Sequence, residues 1–480
     1  MKTRIFTLIM SLFVATMAFA YDAQIDGIYY DFDHENKTAT VTHDGEIWKD
    51  YETLNDAGYT QLDIVIPEKV TYNGVEYSVT SIGSYAFFEC DFFSFKMGNS
   101  VTSIESYAFN GCTLFSFTIG NSVTSIESCA FYGCYFSFTS ITIPNRVTSI
   151  GDSAFYSCNL TSITIGNSVT SIGELAFNGS YSLDTLICKF GDDVELIYEN
   201  GNHMTTHPFR ATKKLRYFEG PAKLVNTITK QYQTDFSNKL TEVHITDGEL
   251  NENGFNYINL SKETLHTIDL AGTTNKAISD LAFYDWGKLE NFMLPSKVET
   301  IGFKAFAECL NLRTIEFPEG LKEVGDAAFY GCTYLDSLAL PSTTQRIGDN
   351  CFALCRSIKA IAVDAIVPPT IYAKTFLDVN RNIPVIVPNG ARDAYANDEY
   401  WGEFINVIES DEDTSIENTE NANVAIYSVG GVLYVDGLSA DYQVFDVNGR
   451  LVYTGRDTQL SLPRGVYVVA VGGEVEKVVL

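Results

Sequence analysis

The sequence predicts a mainly-β chain built as a parallel solenoid, closed by a cap at each end and followed by a small antiparallel β module. Three observations predict it. The segments VTSIGSYAFFEC, VTSIESYAFNGC, VTSIESCAFYGC, VTSIGDSAFYSC and VTSIGELAFNGS follow one another, with Phe87, Phe109, Phe131, Phe155 and Phe177 spaced 22, 22, 24 and 22 apart. A second block places Phe283, Phe306, Phe329, Phe352 and Phe376 at spacings of 23, 23, 23 and 24. Between them recurs an L-x-x-I-x-I pattern, as in Leu160, Ile163 and Ile165. Repetition at this period marks a solenoid, because one unit cannot bury its own apolar face and a stack of units can.

Each unit reads physically. Ile163 and Ile165 alternate with Ser162 and Thr164, the period-2 mark of a half-buried strand. Gly166-Asn167 reads as a turn, Val169 and Ile172 as a second side, and Gly173 as another turn. Ala176-Phe177 reads as a short helical or 3-10 stretch whose aromatic ring plugs the interior.

The irregular stretch 178–276 keeps the strand pattern in LDTLIC, LRYFEG, LTEVHI and LHTIDL, so it belongs to the solenoid, which runs over 80–377. Residues 21–79 read as an N-terminal β cap, with the hairpin TYNGVEYSV turning at Asn73-Gly74. Residues 378–408 read as the opposite cap, IPVIVP as the last strand and ARDAYANDEYWGEFINVIE as a helix over it. Residues 409–423 are acidic and almost free of apolar side chains, a linker. Residues 424–480 read as a separate β module turning at Asn448-Gly449 and Gly472-Gly473.

The first twenty residues read as an address. Lys2 and Arg4 precede an apolar run from Ile5 to Phe19, and Ala18-Phe19-Ala20 offers small residues at the cleavage positions. No later stretch reaches the roughly 20 apolar residues of a membrane-spanning helix, and no cysteine follows Ala20 to carry a lipid. Export, with the mature chain starting at Tyr21, is the expectation. The net charge of -29 disfavours nucleic acid and anionic membrane surfaces as partners.

The repeat VTSIGxxAFxxCxxLxxIxIP resembles the BspA-like branch of bacterial leucine-rich-repeat surface proteins, over roughly 60–408. That resemblance implies a leucine-rich-repeat solenoid exposed on the cell or shed from it and used for adhesion. VFDVNGRLVYTG (444–455), LPRGVYVVAVGG (462–473) and EKVVL (476–480) resemble the C-terminal sorting domain of the type IX secretion system. This second resemblance implies passage across the outer membrane of a Gram-negative bacterium, with export machinery as a partner of the tail.

Chemistry is hard to find. Cys90, Cys112, Cys134, Cys158, Cys309, Cys332 and Cys355 share one repeat position. Trp286 and Ser180 also fill that position, so a buried core thiol is favoured over a disulfide or a metal ligand. His203 and His207 in HMTTH have helical metal spacing but lack the intervening Glu of a zinc protease. There is no nucleophile elbow, phosphate loop or dinucleotide fingerprint. The expectation is therefore no enzyme, no cofactor and no metal.

Binding is left to the surface. Ser94, Ser116, Ser140 and Ser162 should form one outward row, and Lys96, Thr118, Thr142 and Thr164 the next. Such rows are ordinarily a solvated sheet face. Phe93 and Phe115 flank them, with Phe136 and Phe138 nearby, and clustered exposed aromatics mark interaction sites. The same rings could seat against the N-terminal cap. Host or microbial surface and matrix proteins are the expected partners, with glycans or a scaffolding role in a surface assembly as the alternative. In the second block Glu290, Arg313, Asp336 and Lys359 should stack with alternating sign, which reads as structural.

Overall fold

The computed structural model describes residues 21–45, 62–197, 207–228, 237–410, 425–429, 432–436, 442–446, 451–462, 466–471 and 474–479. The leader, His203, most of the linker and the two turns expected in the tail lie outside them. The chain divides into two compact units at Thr264 and Leu265.

In the first unit each coil has three sides. One side carries the strands Ser140–Ile143, Ser162–Ile165, Thr185–Cys188, Tyr217–Gly220 and Glu242–Ile245, each parallel to the next. Their inward residues Ile163, Leu186, Phe218 and Val243 stand in one register. A second side carries Ser103–Ile104, Ser125–Ile126, Ser149–Ile150, Ser171–Ile172 and Glu195–Leu196, also parallel and in register. The irregular stretch thus builds solenoid coils, as its strand pattern predicts. Its irregularity is on the second side, where the helices Ala222–Asn226 and Glu252–Asn259 replace short strands.

The third side corrects the helical expectation. The Ala-Phe segments are successive turns, each passing through a left-handed residue: Tyr85, Tyr107, Cys129, Ser153 and Leu175 have φ between 53° and 60°. That conformation costs a non-glycine residue about 1–2 kcal/mol. Inter-coil hydrogen bonds hold it in place: the Tyr107, Cys129 and Ser153 amides donate to Ser128, Asp152 and Glu174 carbonyls at 3.1, 2.8 and 2.7 Å.

Glycine serves another purpose. Gly166 and Gly173 do not have positive φ. They are small because the previous coil lies against them: a Cβ on Gly173 would sit 2.5 Å from the Asp152 amide nitrogen.

Inside, the Phe rings form a spine. Phe87, Phe109, Phe131, Phe155 and Phe177 stack with centroids 5.3, 5.1, 4.9 and 5.3 Å apart, and Phe209 extends the stack by another 5.0 Å. Phe209 fills the aromatic position of the irregular coil, since the Phe177 amide donates to the Pro208 carbonyl as it does to alanine elsewhere.

The cysteine position has a specific task. Cys112, Cys134 and Cys158 donate Sγ–H to the carbonyls of Phe87, Phe109 and Phe131 at 2.8, 2.8 and 3.2 Å. Cys309, Cys332 and Cys355 do the same toward Phe283, Phe306 and Phe329. Ser180 fills the position with a shorter reach, and its Oγ has no hydrogen-bond partner among the described residues. All ten cysteines are free thiols. Burial pushes the thiols of Cys134, Cys158, Cys188, Cys332 and Cys351 far above the ordinary range, so none ionises near neutral pH. Thiol labelling should be slow in the folded chain and fast in denaturant. Protection that survives denaturant until a reductant is added would contradict this.

The N-terminal cap is an antiparallel meander, Ala23–Ile25, Ile28–Asp33 and Thr38–Thr42. Its last strand pairs in parallel with Val75–Ile82 and covers the second-side edge. Lys69–Tyr72 turns back through Asn73-Gly74, both at positive φ, as the hairpin expectation holds. The cap does not end at residue 79. Asp63–Val65 already pairs in parallel with Ser94–Lys96, so the first coil starts inside the stretch assigned to the cap.

The second unit repeats the plan. Thr267–Asp269, Asn291–Met293 and Thr314–Glu316 pair in parallel, as do Ser337–Leu340, Ala360–Val363 and Pro384–Pro388. Phe283, Phe306, Phe329, Phe352 and Phe376 stack 5.2, 5.1, 5.4 and 5.4 Å apart. On the second side, the row that holds threonine in the first unit holds Lys276, Glu299 and Lys322, with Glu299 ion-paired to both lysines.

The C-terminal cap departs from expectation. Its helix is confined to Arg392–Ala396, a 3-10 turn covers Trp401–Glu403, and Asn406–Ser410 is a further parallel strand on Pro384–Pro388. The Asp398 carboxylate accepts the Tyr400 and Trp401 amides at 3.0 Å each, which breaks the helix and frees INVI for the sheet. Trp401 is fully buried against Phe376 and donates its indole N–H to the Pro369 carbonyl at 2.8 Å, closing the spine.

The tail forms two antiparallel sheets. Val432–Asp436 lies between Ala425–Val429 and Gln459–Ser461. Tyr442–Asp446 lies between Leu451–Gly455 and Val466–Val471, which pairs in turn with Glu474–Val479. Leu433, Val435, Tyr442, Val444, Tyr467 and Val469 form its core.

Candidate ligand-binding face

The first-side strands of the first unit present an outward surface whose rows follow from the register. Ser140 and Ser162 pair, as do Thr142 and Thr164. Phe95 bridges Phe117, which sets Ser94 beside Ser116 and Lys96 beside Thr118. Ser116, Thr118 and Lys96 are exposed and Ser94 is half-buried. These are the polar rows that the alternation predicts.

Beside them runs a row that changes character along the unit. Phe93 and Phe115 are 63% and 52% exposed, with ring centroids 6.2 Å apart at 28°. They do not seat against the described part of the cap as buried rings would. Leu62, 64% exposed, precedes them on the neighbouring strand, its carbonyl accepting the Phe93 amide at 2.7 Å. Further along, the row becomes polar: Ser137, Thr161, then Asp184 ion-paired with Arg216. Val65 is 62% exposed and stands in register with Lys96. The Ser94 hydroxyl donates to Asp63 at 2.5 Å, linking the first two strands.

Phe136 requires correction, because it is fully buried and cannot meet a ligand. It pairs in register with Leu114 and takes the leucine position of its coil. The two additional residues of this coil form a bulge behind it. There Phe138, half-buried, packs on Phe136 at 5.0 Å. The bulge parts Phe136 from the next coil, and Asn159 bridges the gap. Its side-chain oxygen accepts the Phe136 amide and its side-chain nitrogen donates to the Phe136 carbonyl, both at 2.7 Å.

Sequence reasoning missed Leu62 and Val65. The pattern was masked because Gln61 stands where leucine is wanted, so LDIVIP did not register as a repeat strand. It also missed two tyrosine pairs on the turn side, Tyr85 with Tyr107 at 4.9 Å and Tyr132 with Tyr156 at 4.8 Å. Both pairs are nearly parallel, so each ring gives one of its faces to its partner.

His207 is buried; its Nε2 lies 3.0 Å from the Thr227 hydroxyl and its Nδ1 accepts the Phe209 amide at 3.1 Å. Both ring nitrogens are engaged in holding the irregular coil. In the second unit the alternating row is placed as expected. The Asp336 amide donates to the Arg313 carbonyl and the Lys359 amide to the Asp336 carbonyl, at 3.0 and 2.8 Å. The Arg313 guanidinium also lies over the Tyr334 ring, 5.9 Å from its centroid.

Residues 68–184 and 276–384 match, in six copies, the family described as BspA type leucine rich repeat region. The chain therefore carries BspA-type leucine-rich repeats over those two stretches. No curated protein matches it. Among solved structures, a leucine-rich repeat protein from Bacteroides ovatus is 25% identical, covering 71% of this chain and 94% of that one, with a TM-score of 0.34. The pneumococcal vaccine antigen PcpA is 18% identical over 81% of this chain and 98% of its own, at a TM-score of 0.26. A leucine rich cell surface protein from Faecalibacterium prausnitzii is 19% identical over 71% and 94%, at 0.22.

Proposed function

We propose that these leucine-rich repeats make an exported, adhesin-like binding protein, which takes a protein partner on the strand-lined face near the N-terminal end of its first unit. The observation that carries this reading is the exposed, stacked Phe93–Phe115 pair, prolonged by Leu62 and beside Val65. Burying large apolar side chains on a broad face favours a protein partner, since truncating such anchors commonly costs 1 kcal/mol or more of binding. A sugar ring would instead seek an open aromatic face in a groove, whereas Phe93 and Phe115 stand on a strand-lined face. Nothing in the chain's motifs supports catalysis, and the regular rows are a scaffold for contact.

Residues 1–20 are proposed as the export leader and 424–480 as the sorting domain of a type IX pathway, the linker uncoupling it from the repeats. Placement on the outer-membrane surface or outside a Gram-negative cell follows from that assignment. A single experiment tests both parts. The mature chain is offered arrays of matrix proteins and glycans, beside the double variant Phe93→Ala, Phe115→Ala, the charge reversal Arg313→Glu, and a chain lacking 424–480. The aromatic variant should lose at least about tenfold in affinity for a protein partner, the equivalent of about 1.4 kcal/mol. Arg313→Glu should keep that affinity. The truncated chain should bind normally yet stay inside the producing cell. Binding confined to glycans, or lost with Arg313→Glu and retained without the two rings, would refute the assignment of the face. Normal surface display without 424–480 would refute the role of the tail.

A further inference from the structure

The strand-lined face leaves the turn side of the first unit unused. There Phe88, Asn110, Tyr132 and Tyr156 hold one position in four successive coils. The main chain fixes that register: the amides of Glu89, Gly111 and Gly133 donate to the carbonyls of Asn110, Tyr132 and Tyr156 at 2.7, 2.8 and 2.8 Å. Tyr132 gives one ring face to Tyr156, 4.8 Å away and within 4° of parallel, so its other face looks toward the coil of Asn110. Among the described residues no other ring packs on Tyr132, which is 38% exposed. On the far side of Asn110, Phe88 is half-buried and leans on Tyr85 at 5.8 Å. Phe88 and Tyr132 stand two coil steps apart, and the spine beneath them sets those steps at 5.3 and 5.1 Å. A ring in carbon contact at about 3.5–4.0 Å with each wall fits that separation.

The floor of this slot is polar. Asn110 and Glu89 are both half-buried. A Cβ on Gly111 would meet the Glu89 Cγ at 3.0 Å, which places the Glu89 stem along the glycine that follows Asn110. Among the described residues neither the Asn110 side-chain amide nor the Glu89 carboxylate makes a hydrogen bond or an ion pair. Asn159, by contrast, spends both ends of its amide on Phe136. In the second unit Tyr284, Ala307 and Tyr330 take the corresponding positions, and Ala307 is buried. There the gap between rings closes over a methyl group. In the first unit it holds an amide that can both donate and accept.

We infer that this slot binds a neutral hexopyranose unit of a glycan, seated on the second face of Tyr132. The class of ligand follows from the lining. An aromatic face is electron-rich and attracts C–H bonds, and a pyranose with all-equatorial hydroxyls carries C–H bonds on both of its faces. Its hydroxyls then lie around the rim, where Asn110 can donate and accept and Glu89 can accept. A sugar acid is rejected, because its carboxylate would meet Glu89 in a chain of net charge -29. An aromatic side chain of a peptide would fill the slot yet leave the amide and the carboxylate unanswered. The site stands apart from the strand-lined face and does not rest on it.

The test is a titration of the full mature chain with cellotriose, whose β-linked glucose units have all hydroxyls equatorial. Irradiating the tyrosine ring protons should transfer saturation to the axial C–H protons of the bound sugar. Tyr132→Ala and Asn110→Ala should each weaken binding about tenfold or more, in chains that remain fully folded by circular dichroism. Tyr132→Phe keeps the ring and should bind as the native chain does. Glu89→Gln should admit glucuronate, which the native chain rejects. Tyr284→Ala, on the corresponding turn of the second unit, should change nothing. Absence of saturable cellotriose binding, or equal binding by Tyr132→Ala, would overturn the inference. Loss of cellotriose binding in Phe93→Ala, Phe115→Ala would overturn it too, by putting the sugar on the strand-lined face. Loss of a protein partner in that double variant, with cellotriose binding retained, would leave each site with its own ligand.

Discussion

Gly348→Ala should destabilise the second unit by about 3 kcal/mol or more, at the top of the range for forcing an extra carbon into a packed site. Gly287→Ala should be neutral or mildly stabilising. Neither glycine has positive φ, so conformation does not separate them. Space does. A Cβ on Gly348 would lie 2.4 Å from the Asp326 amide nitrogen, 2.5 Å from the Gly325 carbonyl carbon and 2.4 Å from the Asp326 carboxylate, whereas one on Gly287 meets nothing within 4 Å. Backbone atoms cannot swing aside as a flexible side chain can. The coils must therefore part, and the Gly348 amide would loosen its 2.8 Å bond to the Val324 carbonyl. Arg346, two residues back, bridges Glu323 and Asp326 at 2.7 Å and would be drawn into the same shift. Urea denaturation of the two variants measures the difference, and a Gly348→Ala chain as stable as Gly287→Ala would refute the account.

These glycines show where sequence reading succeeds and where it stops. Period and alternation located the strands, the Phe spine and the shared cysteine position, because each is a property of the residue itself: its polarity, or its bulk. The reason for Gly173 was misread as a turn requirement, since it depends on Asp152 one coil earlier, a neighbour that only stacking reveals. The left-handed backbone falls instead on Tyr85, Tyr107 and Cys129, residues without intrinsic preference for it, whose conformation is imposed by hydrogen bonds between coils. Phe209 escaped notice for a similar reason. Its coil carries a long insertion and Pro208 in place of alanine, so the spacing of about 22 vanished while the packing site remained.

The candidate face was legible to the same degree. Phe93 and Phe115 stood out because an aromatic beside serine and threonine rows breaks the alternation. Phe136 resembled them in type and differed in register. The two residues added to its coil shift it into the leucine position, and only the pairing with Leu114 distinguishes inside from outside. A one-residue change of register exchanges the faces of a strand, so bulges are where such reading fails. Leu62 and Val65 were hidden by a polar residue at the start of an otherwise regular strand.

Phe131→Ala should be the most damaging single truncation in the first unit, at about 3–5 kcal/mol. The ring is fully buried and sits between Phe109 and Phe155 at 5.1 and 4.9 Å, with Phe117 edge-on at 5.4 Å. Because coils touch only their nearest neighbours, the loss should be local in origin and yet weaken the coupling that makes the array unfold together. Two double-mutant cycles separate these effects. Phe131→Ala with Phe155→Ala removes a stacked pair, and the two losses should fall short of additivity by about 0.5–1.5 kcal/mol, the contribution of the aromatic contact. Phe131→Ala with Phe177→Ala removes rings that share Phe155 as a neighbour and do not stack on each other, so their losses should add to within about 0.5 kcal/mol. Equal coupling in the two cycles would mean that the spine transmits strain along its length, and would refute a stack held by neighbour contacts alone. Hydrogen exchange gives an independent reading of the same point. The amides of Phe109 and Phe131, which donate at 2.7 and 2.8 Å to the carbonyls of Ala130 and Ala154, should lose protection in Phe131→Ala before that of Phe177 does.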